Sequence, residues 1–360
     1  MAKAQPARAL ANYLENGFQQ PGLNFSDGGE AVDCSIAFLN AQYLPATVFD
    51  NSDFRRNLLC EQAFRPLYLQ LQRASWNVVS QIAPRAQDNA NLQPHDFTAC
   101  LIMAGKFKAI NQQMIDRAHA ITRAGGPIIV AGEKNSGIGS LRKWAAGTDT
   151  ITDSMSKFHS VVFALESLGR SEATDNLPPE KIEAEGRSYF TAPGLFSSDI
   201  IDAGSHLLAT HFDDRIKGKV ADLGSGWGYL SAELLARSHN VTSLDLYEAD
   251  CRGIDISRLN LADVSKAVEV SYNWHDVASE TIAGRYDWVI MNPPFHTGRD
   301  TSTELGRRFI QSAAAVLNPK GKLLMVANRH LAYESTLGKC FSAFKTIEHK
   351  AGFKIIFAQK

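Results

Sequence analysis

In the second half of the chain, apolar runs of strand length alternate with stretches whose apolar residues recur at helical spacing. Lys219-Val220-Ala221-Asp222-Leu223 reads as a strand ending in an acid and a glycine-rich turn. A helix is expected to start near Tyr229 and to run through Leu230, Leu234 and Leu235. Residues 241–247 form the next strand, and a helix through Ile254, Leu259 and Leu261 follows. Residues 268–272 and 287–291 give a third and a fourth strand. A helix through Phe309, Ile310 and Ala313 then precedes strands at 322–326 and 353–357. Strands interleaved with helices in this way predict a largely parallel α/β sheet covered on both faces. A further helix is expected through His206, Leu207 and Leu208, just before the first of these strands.

The first half repeats part of the pattern. Residues 124–134 resemble 319–329, since in each a glycine precedes an apolar strand that ends in Val-Ala. Residues 95–101 sit like 286–291, and residues 158–164 sit like 353–358. Three matches in the same order indicate a duplicated fold. The first copy has no glycine-rich turn after a first strand. Met103-Ala104-Gly105-Lys106-Phe107 stands where the second copy has Asn292-Pro293-Pro294-Phe295. The polar, proline-containing stretch 172–181 is the natural linker. The expected division is a degenerate domain at 1–170, a linker at 171–188 and a catalytic domain at 189–360.

Composition narrows the class. The chain has 360 residues, 44% hydrophobic and 21% charged, which fits two globular domains. No apolar run reaches membrane-spanning length, and the start lacks a secretory signal, so no membrane partner and a cytoplasmic location are expected. Cys34, Cys60, Cys100, Cys251 and Cys340 form no CxxC pair or zinc spacing, so no metal site is expected and the compartment reads as reducing. A net charge of −1 neither advertises nucleic-acid binding nor excludes it.

Two motifs carry chemistry. Asp222-Leu223-Gly224-Ser225-Gly226-Trp227-Gly228 lies between a strand and a helix, where Gly224, Gly226 and Gly228 permit a tight turn and close approach of a ligand to the backbone. Asp222 is read as organising the turn's amides or as facing a cationic amino-acid tail through water. That favours S-adenosylmethionine over a dinucleotide, with a nicotinamide-binding domain as the competitor. Glu248, just after the second strand, is placed to accept both ribose hydroxyls, and is preferred to Asp245 because of the alternation around the latter. Asp276 is read either as the acceptor for an adenine amino group or as a helix cap. Asn292-Pro293-Pro294-Phe295 follows the run Trp288-Val289-Ile290-Met291, so a strand delivers an amide to its carboxyl edge, prolines stiffen the backbone, and a flat ring follows. Such a corner suits a planar, amine-bearing base. An ordinary strand-to-loop turn is the plainer alternative.

Together these residues resemble the class I S-adenosylmethionine-dependent methyltransferases. The run Asn292 to Gly298, with Val326-Ala327-Asn328-Arg329-His330-Leu331 and Pro193-Gly194-Leu195-Phe196-Ser197, is similar to the bacterial ribosomal RNA guanine-N2 methyltransferases, the small-subunit (16S) type first and the large-subunit (23S) type second. The resemblance implies two tandem Rossmann-like class I methyltransferase folds, the first degenerate and the second with a seven-stranded, mostly parallel sheet. It implies methyl transfer to guanine N2 of ribosomal RNA, probed as RNA within a small subunit or an assembly intermediate, by a monomer. Asn292 and the Pro293 carbonyl would each accept one amino hydrogen, and Phe295 would stack on the base. Asp222, Gly224, Gly226, Gly228, Glu248, Asp276 and Phe196, the last on a lip over the cofactor, would hold the methyl donor. Pro294, His296, Gly298, Asn328 and Arg329 would line the substrate pocket. Rival functions are a DNA-adenine or protein-glutamine N-methyltransferase and a non-catalytic RNA-binding assembly factor.

Overall fold

The computed structural model describes residues 5–16, 35–43, 52–82, 97–170, 178–184, 186–265, 268–294 and 301–360. The chain divides into two units, Met1–Pro178 and Pro179–Lys360. The first contains β1 (Ile36–Leu39), β2 (Leu58–Glu61), β3 (Val78–Val79), β4 (Ala99–Met103), β5 (Pro127–Glu133), β6 (Ile151–Lys157) and β7 (Ser160–Glu166). They form one sheet in the order β3-β2-β1-β4-β5-β7-β6, parallel from β3 to β5. Strand β7 then runs antiparallel to β5 and to β6. Every residue of β4 is buried, as an all-apolar strand between two covering layers must be. The His95–Asp96 end of the expected repeat lies outside the described residues.

The second unit opens with a hairpin, β8 (Glu180–Ala184) and β9 (Arg187–Thr191). Residues 180–184, expected within the linker, are thus a paired strand. Ile182 and Ala184 pack inward while their neighbours face solvent, so the apolar signal is two residues deep. Buried Glu233 holds the hairpin to the helix Tyr229–Arg237, accepting from Arg187 Nη1 and Tyr189 Oη at 2.7 and 2.5 Å.

Seven strands follow: β10 (Lys217–Leu223), β11 (Asn240–Glu248), β12 (Glu269–Trp274), β13 (Tyr286–Met291), β14 (Leu317–Asn328), β15 (Ala343–Lys350) and β16 (Phe353–Gln359). Their order, β12-β11-β10-β13-β14-β16-β15, repeats that of the first sheet strand for strand. Successive residues enter opposite layers. Val220, Trp288, Ile290 and Leu324 pack in one core, while Ala221, Val289, Met291 and Leu323 pack in the other. The sheet is therefore buried on both faces, as the apolar runs predict.

In such a sheet the chain order reverses beside the first strand, and a crevice opens there at the carboxyl edge. The two units treat that crevice differently. In the first, Asn40 (φ 51°) follows β1, and its Nδ2 donates to Met103 O at 2.7 Å, joining the ends of β1 and β4. Buried Gln62 donates from Nε2 to Ala41 O at 2.7 Å. Its Oε1 accepts from the Phe64 amide at 2.9 Å, just as Glu248 Oε1 accepts from the Asp250 amide at 2.9 Å. Gln62 thus stands at the place of Glu248, with an amide instead of a carboxylate. Side chains of the first unit bridge the strand ends on either side of its own crevice.

Candidate active site

The glycine turn begins where β10 ends. Gly224 and Ser225 donate their amides to Tyr247 O at 2.8 and 3.1 Å, which bends the chain away from the sheet. Gly224, Gly226 and Gly228 all have positive φ, at 78°, 58° and 87°. A Cβ on Gly228 would stand 2.8 Å from Ser257 Cβ and 3.0 Å from Leu261 Cδ1, whereas one on Gly226 would meet nothing within 4 Å. Gly228 is therefore required by helix packing, and Gly226 by backbone conformation beside open space. Gly228→Ala is expected to cost about 2–4 kcal/mol from left-handed strain plus overpacking. Gly226→Ala is expected to cost about 1–2 kcal/mol, from strain alone. Equal midpoint shifts for the two variants in urea unfolding would contradict this division.

The carboxylates have distinct environments. Asp222 is fully buried; its Oδ2 accepts from Ser231 Oγ at 2.7 Å and its Oδ1 has no partner. Burial pushes its pKa up to about 7, against the hydrogen bond from Ser231 and with help from the negative charge of Glu248. Contrary to one sequence reading, Asp222 does not organise the turn's amides; it turns toward the helix and Ser231. Glu248 does that work, accepting from Gly226 N at 2.7 Å through Oε2. Glu248 keeps some accessible surface but is densely surrounded, and lost hydration raises its pKa. Asp245 faces elsewhere, accepting from Tyr286 Oη at 2.6 Å. Buried Asp276 makes capping contacts, accepting from the Ala278 amide at 3.0 Å and from Ser279 Oγ.

The pairing of Asp222 with Ile290 brings the ends of β10 and β13 level, so Asn292 emerges beside the glycine turn. Its Nδ2 donates to Asp202 Oδ2 at 2.9 Å and to Ser205 Oγ at 2.7 Å. Asp202 also caps the helix Ala203–Ala209, accepting from the Ser205 amide at 2.7 Å. A carboxylate only accepts, so the amino end of the amide faces Asp202 and the oxygen faces the other way. That oxygen, Asn292 Oδ1, is buried and has no partner. Sequence reasoning missed Asp202 and Ser205 as neighbours of Asn292; the available signal was the Asp-x-x-Ser start of a helix ahead of the first strand.

Pro293 is buried and Pro294 exposed, while Phe295, His296 and Gly298 lie outside the described residues, as does Arg299. Half-buried Asn328 ends β14, and exposed Arg329 is held through its amide by Gly352 O at 2.8 Å. Buried Lys354 secures the following turn by donating to Leu331 O and Glu334 Oε1 at 2.8 and 2.7 Å. The Phe196 ring is 51% exposed, and its carbonyl accepts from Trp227 Nε1 of the glycine turn at 2.9 Å. Asn260 fixes the other flank, donating to the Trp227 and Phe190 carbonyls at 2.7 and 2.8 Å. Among the described residues no cluster of three or more His, Cys, Asp or Glu is placed to hold a metal ion, and no helix is long and apolar enough to cross a membrane.

The strand order, the glycine turn and the amide at the end of the fourth strand define a class I methyltransferase. A family profile described as Methyltransferase small domain matches residues 187–357. The chain is 34% identical over 235 residues to a ribosomal RNA small subunit methyltransferase C from Enterobacter sp., covering 64% of this chain and 66% of that protein. It is 30% identical over 265 residues to the protein of that name from Idiomarina loihiensis, covering 69% and 75%. The chain belongs to the ribosomal RNA small subunit methyltransferase C family. A 16S rRNA N2 methyltransferase from T. thermophilus, solved with AdoMet and guanosine, shares the fold with a TM-score of 0.74 at 22% identity, over 98% of this chain and 92% of that one.

Proposed function

We propose that this chain transfers a methyl group from S-adenosylmethionine to the exocyclic N2 of a guanine in 16S ribosomal RNA. The observation that carries the proposal is the buried, unpartnered Asn292 Oδ1, presented as the free end of the amide because Asp202 and Ser205 hold the amino group. Guanine N2 has its lone pair drawn into the ring and is a weak nucleophile. Asn292 Oδ1 and the Pro293 carbonyl take one N2 hydrogen each, which orients the nitrogen and favours lone-pair density as the bond forms. Positioning and preorganised dipoles supply the acceleration. Neither oxygen is a base, and N2 gives its surplus proton to solvent water after the methyl bond is made. Phe295 stacks on the base, while Pro294, His296, Gly298, Asn328 and Arg329 line its pocket.

The residues beside the glycine turn fit the donor. Asp222 Oδ1 and Ser225 Oγ are buried without partners, and the flank of Gly226 is open. Glu248 takes the ribose hydroxyls, Asp276 the adenine amino group, and Phe196 covers the site, with Asp222, Gly224, Gly226 and Gly228 cradling the amino-acid end. S-adenosylmethionine supplies an electrophilic methyl group on a sulfonium. Residues 189–360 carry this activity, with the hairpin strand 180–184 belonging to the same unit, and residues 1–170 serve the substrate. The substrate is presented in a small ribosomal subunit or assembly intermediate, and the protein acts as a cytoplasmic monomer.

A pH dependence follows from Asp222. With its pKa raised to about 7, Asp222 is partly protonated at neutral pH in the free protein, whereas a cationic tail favours the carboxylate. Binding then expels a proton, so affinity should rise with pH by up to about tenfold per unit below 7 and level off above it. Calorimetric titrations across pH 6–8 test this: a flat profile would oppose it, and Asp222→Asn should lose the slope except for any part due to Glu248. For the function itself, labelled donor is offered to 16S RNA, 23S RNA, both ribosomal subunits, DNA and a glutamine-containing peptide. Label in 16S RNA or the small subunit is expected; label confined to any other acceptor, or none anywhere, would refute the assignment.

A further inference from the structure

The carboxyl edge of the first sheet breaks local rules in a consistent way. Phe64 occupies the N-cap of the helix Arg65–Arg73, and Phe107 that of the helix Lys108–Ile121; neither makes a side-chain cap bond. Ser, Thr, Asp or Asn is preferred at such positions, because a side-chain oxygen satisfies an otherwise orphaned amide. At the place of Phe64 the second unit follows the rule. Asp250 caps the helix Cys251–Leu261 by accepting from Arg252 N at 3.1 Å. Both phenylalanines are also exposed, Phe64 by 44% and Phe107 by 49%, and Tyr43 beyond β1 by 37%. Departures from local rules are concentrated at functional or strained positions.

These rings do not stand alone. Lys106 and Lys108 flank Phe107, and Lys134 follows β5; all three are exposed. Half-buried Glu133 and buried Glu61, the latter paired with Arg117, are the acidic neighbours on this edge among the described residues. The four loops follow adjacent strands in the order β2, β1, β4, β5, so they share one edge about 14 Å wide. The same edge of the second sheet carries Asp222, Glu248, Asp250 and Asp276. At two of those places the first unit differs, with the Gln62 amide for Glu248 and the Phe64 ring for Asp250, and its side chains bridge the strand ends beneath.

We propose that this edge of the first unit is a stacking platform for unpaired bases of the RNA substrate. Tyr43, Phe64 and Phe107 offer ring faces to bases, and Lys106, Lys108 and Lys134 take the flanking phosphates. Rings serve any base because every base has a π-face, and the lysines add a salt-dependent term. The inference rests on the reading of the chain as an RNA methyltransferase, and it places substrate grip in the unit that has lost the chemistry.

The test uses the full chain, with binding of 16S RNA followed by fluorescence anisotropy against salt, alongside melting temperature and methyl transfer. Phe64→Ser and Phe107→Ser restore capping residues, so each variant should melt at or above the parent's temperature. Each should nonetheless bind RNA at least about fivefold more weakly, and Phe→Tyr at either position should keep parental affinity. The pair Lys106→Ala/Lys108→Ala should lower the slope of log affinity against log salt by about 1.4. Affinity within twofold of the parent for the Phe64→Ser/Phe107→Ser double variant would overturn the proposal, assigning the rings to protein contacts instead. Parental methyl transfer with unaffected variants removes the platform and leaves the function standing. RNA binding that depends on the rings, without methyl transfer to any RNA, removes the function and leaves the platform.

Discussion

Asn292→Ala is expected to lower the rate of methyl transfer by about a hundred- to a thousandfold, the range seen when one preorganised polar partner is removed from a reacting centre. Donor affinity should stay within about twofold, because the turn and carboxylates that would hold the donor do not pass through Asn292. The physical basis is orientation. Free in solution, an amide presents its NH2 as readily as its oxygen. Here the amino end is committed to Asp202 Oδ2 and Ser205 Oγ, and Oδ1 is left buried and unpaired. A buried acceptor without a partner is costly by about 1–3 kcal/mol, and an incoming amine relieves that cost. Asn292→Asp should also fail, since it sets a carboxylate against that of Asp202. Single-turnover transfer together with donor binding by calorimetry separates the effects; transfer by Asn292→Ala at the parental rate would remove the amide from the chemistry.

The second large effect concerns Asp202. Asp202→Ala should reduce transfer by about tenfold or more, through loss of the amide's orientation, and should cost about 1 kcal/mol of stability as a lost cap. A purely structural cap would act independently of Asn292, whereas an orienting carboxylate would not. The decisive comparison is a double-mutant cycle. In an Asn292→Ala background, Asp202→Ala should slow transfer no further, while the loss of stability remains. The exchanged pair Asp202→Asn/Asn292→Asp restores a donor facing an acceptor and should recover part of the activity lost in Asn292→Asp alone. Additive losses in the cycle, with no recovery in the exchange, would reduce Asp202 to a helix cap.

Much of this architecture was legible because buried parallel strands write themselves as apolar runs. β10, β13 and β14 are such runs, and the Val-Ala strand ends exposed the duplication at β5 and β14. Other elements left little trace. β1 and β2 have four residues each and β3 two, too short for periodicity. β15 lies at an edge with nearly every side chain exposed, so backbone pairing with β16 rather than apolar burial defines it. The hairpin residues 180–188 fall within the expected linker because the anchors, Arg187 and Tyr189, find Glu233 more than forty positions away. The same limit applies to the site. Asn292 was visible from its tetrapeptide, but Asp202 and Ser205 lie 90 and 87 positions from it and meet it only through the fold. Asp222 was visible as an acid, whereas its turn toward Ser231, and Glu248's hold on the glycine turn, depend on side-chain direction. That Phe64 and Phe107 stand at N-caps is legible only once their helix starts are fixed.

The most direct measurement is nucleoside mass spectrometry of 16S RNA, free and in small subunits, after incubation with the protein and isotopically labelled S-adenosylmethionine. Label on N2-methylguanosine at one position, strongly reduced with Asn292→Ala, is the expected result. Label on another base or another guanine atom, or equal labelling by Asn292→Ala and the parent, would contradict the assignment of Asn292 as the acceptor that presents guanine N2.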